Sequence, residues 1–259
     1  MTAYIYLSTL GDYLRPKRFL IWAILAIACA STAFIWKQFA DFEGPDALFY
    51  NTVQALIYRV IALAAAVFAT SIIAQEVEQK TIVYLFTRPI PRFLILLGKF
   101  LACWTTIFLI GVIGVFITGL IGFGGEAFTL GFVWREILVC LLGALAYLAL
   151  FTFISLLFNR ALIICILYAF GVELFLPNLP GDGYLLSIFA YMKIFSNPPL
   201  DDMQSNLIRF ASGSLGGGDE IIVSVPMAGS ILLGIGVAFL LFSMWWVSNF
   251  EYVPREDAE

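Results

Sequence analysis

Long apolar stretches separated by short polar clusters run along the chain from about residue 19 to residue 248. A helix needs about 20 consecutive apolar residues to cross the hydrocarbon core of a bilayer. Six stretches read as such spans, at about 19–36, 54–75, 93–121, 134–158, 161–177 and 228–248. The third is long enough to tilt, or to end in a broken or re-entrant stretch at Gly119, Gly122, Gly124 and Gly125. The fifth is short and follows the fourth across Asn159-Arg160 as a tight hairpin. The expected fold is therefore an all-α membrane protein of six transmembrane helices, forming one transmembrane domain over residues 1–259.

Before the first span, Tyr4, Leu7, Leu10 and Leu14 recur at three- and four-residue spacing. That spacing predicts an amphipathic helix within 1–18, lying in the membrane interface. Arg15, Lys17 and Arg18 ahead of Ala26-Ile27-Ala28-Cys29-Ala30 resemble a signal peptide, but the apolar run continues to Trp36 and reads as an uncleaved first span. Residues 178–227 form the one long segment outside the spans. Pro180, Pro198, Pro199 and Pro226 break it, an apolar piece runs from Tyr184 to Phe195, and Ser212 to Gly218 is a flexible linker by composition. Short helices followed by a loose loop are expected there.

Cytoplasmic loops carry an excess of Lys and Arg. With the N-terminus inside, Arg15, Lys17, Arg18, Lys80, Arg88, Arg92, Lys99, Arg160 and Arg255 fall on the inner side, and Lys37, Arg59, Arg135, Lys193 and Arg209 on the outer. The chain is thus expected in a cell (inner) membrane, multi-pass, with both termini cytoplasmic and 178–227 extracytoplasmic.

Composition agrees: 62% of residues are hydrophobic and 12% charged, against about 25% charged in soluble domains, and the mean hydropathy is +0.97. The 14 Lys and Arg form no basic stripe, so no nucleic-acid partner is expected. There is no histidine, which removes Ser-His-Asp triads, histidine general bases and the usual zinc and haem ligand sets. Cys29, Cys103, Cys140 and Cys165 lie in apolar segments without CxxC spacing and read as buried packing. No metal site is expected.

The polar segment 76–92 is the feature that this pattern does not explain. Glu76 and Lys80 stand at i, i+4 in the favourable order, and Val77, Thr81, Tyr84 and Leu85 make an apolar stripe. Pro89 and Pro91 then stop the helix. A connecting loop has no need of an amphipathic helix this long, whereas an element presented to a partner outside the membrane does.

Ile73-Ala74-Gln75-Glu76, Lys80-Thr81, Leu85-Phe86-Thr87-Arg88-Pro89-Ile90-Pro91-Arg92 and Leu97-Gly98-Lys99 together resemble the signature of ABC-2 type permeases. The glycine that often follows the lysine is absent at Thr81. The resemblance implies the membrane subunit of an ATP-binding-cassette exporter. Segment 76–92 would then be a cytoplasmic coupling helix between spans two and three, with Glu76, Glu78, Lys80, Tyr84, Arg88 and Arg92 meeting the ATPase subunit. It also implies two ATPase subunits, a second permease subunit in a homodimer or heterodimer, and no cofactor in this chain, ATP and Mg being bound by the partner. The chain itself lacks GxxxxGK[ST]: Gly98-Lys99-Phe100 has neither the upstream glycine nor the hydroxyl residue. No catalytic residue is expected.

Ionisable residues inside spans are functional candidates. At 1.5 Å per residue, Arg59 and Glu173 lie about 24 Å and about 20 Å from the inner ends of their spans, with opposite charge. They are expected to pair, or to face the outer part of a pathway; separate snorkelling to the interface is the plainer alternative. Small residues form ridges at Ala62, Ala66, Thr70 and Ala74, and at Ser230, Gly234 and Ala238, whose default meaning is helix contact within the subunit. Trp245 and Trp246, with Tyr252 nearby, read as an interfacial aromatic belt. The competing functions are an ATP-independent channel or secondary transporter and, less favoured without histidine, a membrane-embedded enzyme. No residue selects a substrate.

Overall fold

A computed structural model of the chain describes residues 2–14, 16–39, 45–78, 92–158, 160–175, 186–196 and 224–249, without the side chains of 2–4, 16–18, 39, 73–78, 92, 128 and 175. Among these residues the backbone is helical almost throughout and contains no strand. In lipid a helix satisfies its own N–H and C=O groups, which water cannot do there. The elements are α1 (Thr2–Tyr13), α2 (Pro16–Phe39), α3 (Pro45–Thr52), α4 (Tyr58–Glu78), α5 (Arg92–Phe123), α6 (Gly131–Leu157), α7 (Ala161–Leu167), α8 (Glu173–Phe175), α9 (Ile188–Ser196) and α10 (Val225–Asn249). Wide π turns join α3 to α4 at Val53–Ile57 and α7 to α8 at Tyr168–Val172. Pro16 and Pro45 each open a helix, where the missing N–H leaves nothing unpaired.

Among the described residues five helices are long and apolar enough to cross a membrane: Phe19–Gln38, Pro45–Ile72, Phe93–Ala127, Gly131–Leu157 and Val225–Asn249. The expected fifth span is the exception. Its described apolar helix, Ala161–Val172, is shorter than these; helix is described as far as Phe175, and 176–177 lie outside the described residues. The second begins at Pro45 rather than near residue 54, because α3 and its π turn continue straight into α4. Of the glycines expected to break the third, Gly119 and Gly122 stay helical. The break comes at Gly124, whose φ of +62° starts a 3-10 turn.

Successive long helices α2, α4, α5 and α6 run in alternating directions, so that α2 lies parallel to α5 and α4 parallel to α6. At one end Tyr13, closing α1, shares a hydrogen bond of 3.2 Å with Ser71 near the end of α4. At the other, Lys37 near the end of α2 donates to the carbonyl of Ile121 near the end of α5, at 3.1 Å. Phe49 of α3 packs edge-on against Phe132 at the start of α6. Helix α9 packs against α6 and α10 at this second end, beside the points where those two helices begin.

Helix α6 occupies the centre, burying Glu136, Cys140, Gly143, Tyr147 and Phe151 among others. Helix α1 turns Tyr6, Leu10 and Tyr13 toward the bundle and leaves Leu7 and Leu14 outward, so only part of the expected stripe faces the protein. The four cysteines are free, three of them buried and Cys29 half-buried. On α4, Ala62 and Ala66 are buried as expected. On α10 the expectation is corrected: Ser230, Gly234 and Ala238 face outward, and Ala228, Gly229, Leu232 and Gly236 make the contact. Small residues recur on both faces of α10, and Phe195 and Leu145, which lie against Gly229 and Gly236, decide which face is buried.

Candidate functional site

Helix α9 is only nine residues long, below the length at which an isolated helix holds together in water. Its neighbours hold it at both ends and along both sides. At the N-terminus, Ser187 caps the helix: its Oγ accepts from the N–H of Ala190 at 3.1 Å. The Ser187 hydroxyl donates in turn to Oε2 of Glu173 at 2.6 Å. Glu173 also accepts from the N–H groups of Ile188 and Phe189, each at 3.1 Å. A fully buried carboxylate from α8 thus satisfies two of the otherwise unpaired donors at the positive end of α9.

At the C-terminus a second fully buried carboxylate does the corresponding work. Glu136 of α6 accepts a 2.5 Å hydrogen bond from the Tyr58 hydroxyl through Oε2, and one from the Ser196 hydroxyl through Oε1. Gln54 Nε2 donates to Ser196 Oγ at 3.4 Å. Sequence reading did not single out Glu136. The signal was an acidic residue inside the apolar run 134–158, hidden beside Arg135, which had been placed at the outer edge.

Along its sides, α9 sits in glycine notches. A Cβ at Gly143 of α6 would stand 2.5 Å from Sδ of Met192, and one at Gly229 of α10 would stand 2.9 Å from the Phe195 ring. At both positions an α9 side chain fills the space that a Cβ would take.

Arg59 and Glu173 are brought to the same residue by different routes. The Arg59 guanidinium lies 4.3 Å from the centroid of the Phe189 ring and donates through Nη1 to the carbonyl of Ala169 at 3.0 Å. Glu173 holds the backbone N–H of the same Phe189. Among the described residues the hydrogen bonds of Glu173 come from hydroxyl and N–H donors and that of Arg59 goes to a carbonyl, while the Arg59 charge acts on the Glu173 carboxylate through space. Lys193, one turn further along α9, places its ammonium 5.6 Å from the centroid of that ring.

Of the residues expected to meet a partner, those that are described lie at the opposite end of the bundle. Glu76 and Glu78 fall in the last turns of α4 and Arg92 is the first residue of α5, with side chains outside the described set. Lys80, Tyr84 and Arg88 lie outside the described residues. Helix α4 continues past apolar Ile73 and Ala74 to Glu78.

A family model described as ABC-2 family transporter protein matches residues 10–242. No curated protein matches the chain.

Proposed function

This chain belongs to the ABC-2 family of transporter proteins, and we propose that it is the membrane subunit of an exporter whose ATP is hydrolysed on a separate chain. The family makes it a multi-pass membrane permease of an ATP-binding-cassette transporter, a transport component rather than a catalyst. Export, the ATPase partner and the pairing of two permease chains, identical or not, are the further steps of this reading.

The match over residues 10–242 carries it, because it spans both the helices and the 76–92 segment. The ends of α4 and α5 support it. Helix α4 runs on past apolar Ile73 and Ala74 through Gln75, Glu76, Val77 and Glu78, about 6 Å at 1.5 Å per residue. Acidic Glu76 and Glu78, cationic Lys80, Arg88 and Arg92, and the ring of Tyr84 offer a docking segment of mixed charge with one aromatic anchor. With that segment on the cytoplasmic side, both termini are cytoplasmic and α9 lies at the outer end.

The test is purification of the tagged full chain from its native host in mild detergent, beside a variant with Glu76, Arg88 and Arg92 replaced by alanine. An ATP-binding-cassette ATPase should accompany the unmodified chain and be lost from the variant. A chain that purifies alone in both preparations points instead to an ATP-independent carrier or channel.

A further inference from the structure

Two adjacent residues of α4 reach both ends of α9. Tyr58 donates to Glu136, which also takes the hydroxyl of Ser196, the last residue of α9. Arg59 holds its guanidinium over the Phe189 ring in the first turn, at 4.3 Å. Its charge acts on Glu173, which accepts the Phe189 N–H. The Tyr58 ring also meets Phe189 edge-on, at 6.2 Å and 82°. One step along α4 thus touches the two ends of a helix about 13 Å long. These residues are mounted where the helical ladder widens. The π turn Val53–Ile57 stands immediately ahead of Tyr58 and Arg59, and the π turn Tyr168–Val172 immediately ahead of Glu173. Both turns also join in directly, Gln54 donating to Ser196 and the carbonyl of Ala169 accepting from Arg59. A π turn carries an extra residue in the ladder, and helices bend there.

We infer that α9 is a latch that docks and releases as one body, with Tyr58 and Arg59 of α4 tying its two ends together. Nine residues do not hold a helix in water, so α9 keeps its shape only while docked. Loss of the hold on its first turn frees Phe189, and Phe189 is the ring on which Tyr58 packs while it holds Glu136. A helix fastened at two independent ends would instead fray from whichever end was cut. Release withdraws Met192 and Phe195 from the notches at Gly143 and Gly229, and takes Ser196 away from the buried Glu136. The inference needs no ATPase and stands apart from the transport reading.

The experiment is amide hydrogen exchange on the full chain in a neutral detergent, resolved to single amides by electron-transfer fragmentation. In the unmodified chain the amides of α9 should exchange together, through an opening that leaves α6 protected. Arg59→Gln should speed exchange about tenfold along the whole of α9, including the Ser196 end, which lies beyond its described contacts. Tyr58→Phe keeps the ring and removes one oxygen; it should speed exchange about fivefold, the Phe189 end included. Arg59→Lys keeps a cation for the ring and should fall between the parent and Arg59→Gln. Lys37→Gln, at the same end of the bundle, should leave α9 unchanged. Peptides of α6 in the same samples separate local release from loss of the whole fold. Exchange that speeds only at the end nearest the substituted residue overturns the inference. So does an α9 that exchanges only together with α6.

Discussion

Helices α2 and α6 are alike by every measure of apolar length, at 24 and 27 residues, yet 17% of the α2 span is buried against 61% of α6. The fully buried residues described on α2 are all small, Ala26, Ala30 and Ala33; Phe19, Trp22 and Leu25 pack half-buried against the core, and Leu20, Ile21, Ile24, Ile27, Phe34 and Ile35 are exposed. Helix α6 is surrounded, and what it turns inward includes a carboxylate, a glycine notch and two aromatic rings. The difference teaches that apolar length places a helix in the membrane, while polar and small residues on it mark where the protein does more than meet lipid. A lipid-facing position has no partner to satisfy a carboxylate; Glu136 exists on α6 because Tyr58 and Ser196 reach it.

The comparison can be broken by substitutions graded along it, each read as the melting temperature of the solubilised full chain. The largest loss is expected from Glu173→Ala, about 3 kcal/mol, because it leaves a buried hydroxyl and two buried N–H groups without an acceptor. If this variant melts with the parent, Glu173 does not hold α9. Gly143→Leu comes next, at about 2 kcal/mol, since the new side chain must take the place of Met192. Adding Met192→Ala should return part of that loss, and strict additivity of the two would show that the notch is not where they meet. Tyr58→Phe removes one donor from Glu136 and should cost about 1 kcal/mol. Ile21→Ala, on the exposed face of α2, should stay within about 0.5 kcal/mol; a larger drop would mean that α2 is covered by protein.

Much of the fold was legible because lipid imposes one rule. The five long helices coincide with apolar runs that must be helical to pair their own backbone. The fifth run stands apart: its helix widens at Tyr168–Val172, and 176–177 lie outside the described residues. Hydropathy does not register that Glu173 is committed to the N-terminus of another helix. The ridge on α10 misled, since Ser230, Gly234 and Ala238 have the same spacing as the buried small residues. Only the side chains from α9 and α6 distinguish the two faces. Arg59 and Glu173 stood out as charges within spans, but Glu136, closer to a span end, did not.

By itself the sequence determined that this is a helical membrane protein of the ABC-2 type, since composition, span length and the 76–92 signature are local properties of the chain. The tertiary structure alone decided that two buried carboxylates hold α9 and that two cations share one ring. Those contacts join residues as far apart as Arg59 and Ala169, or Ser196 and Glu136. The pairing of such residues depends on which helices pack together and on which faces, and side-chain shape at positions such as Gly143 and Gly229 sets that.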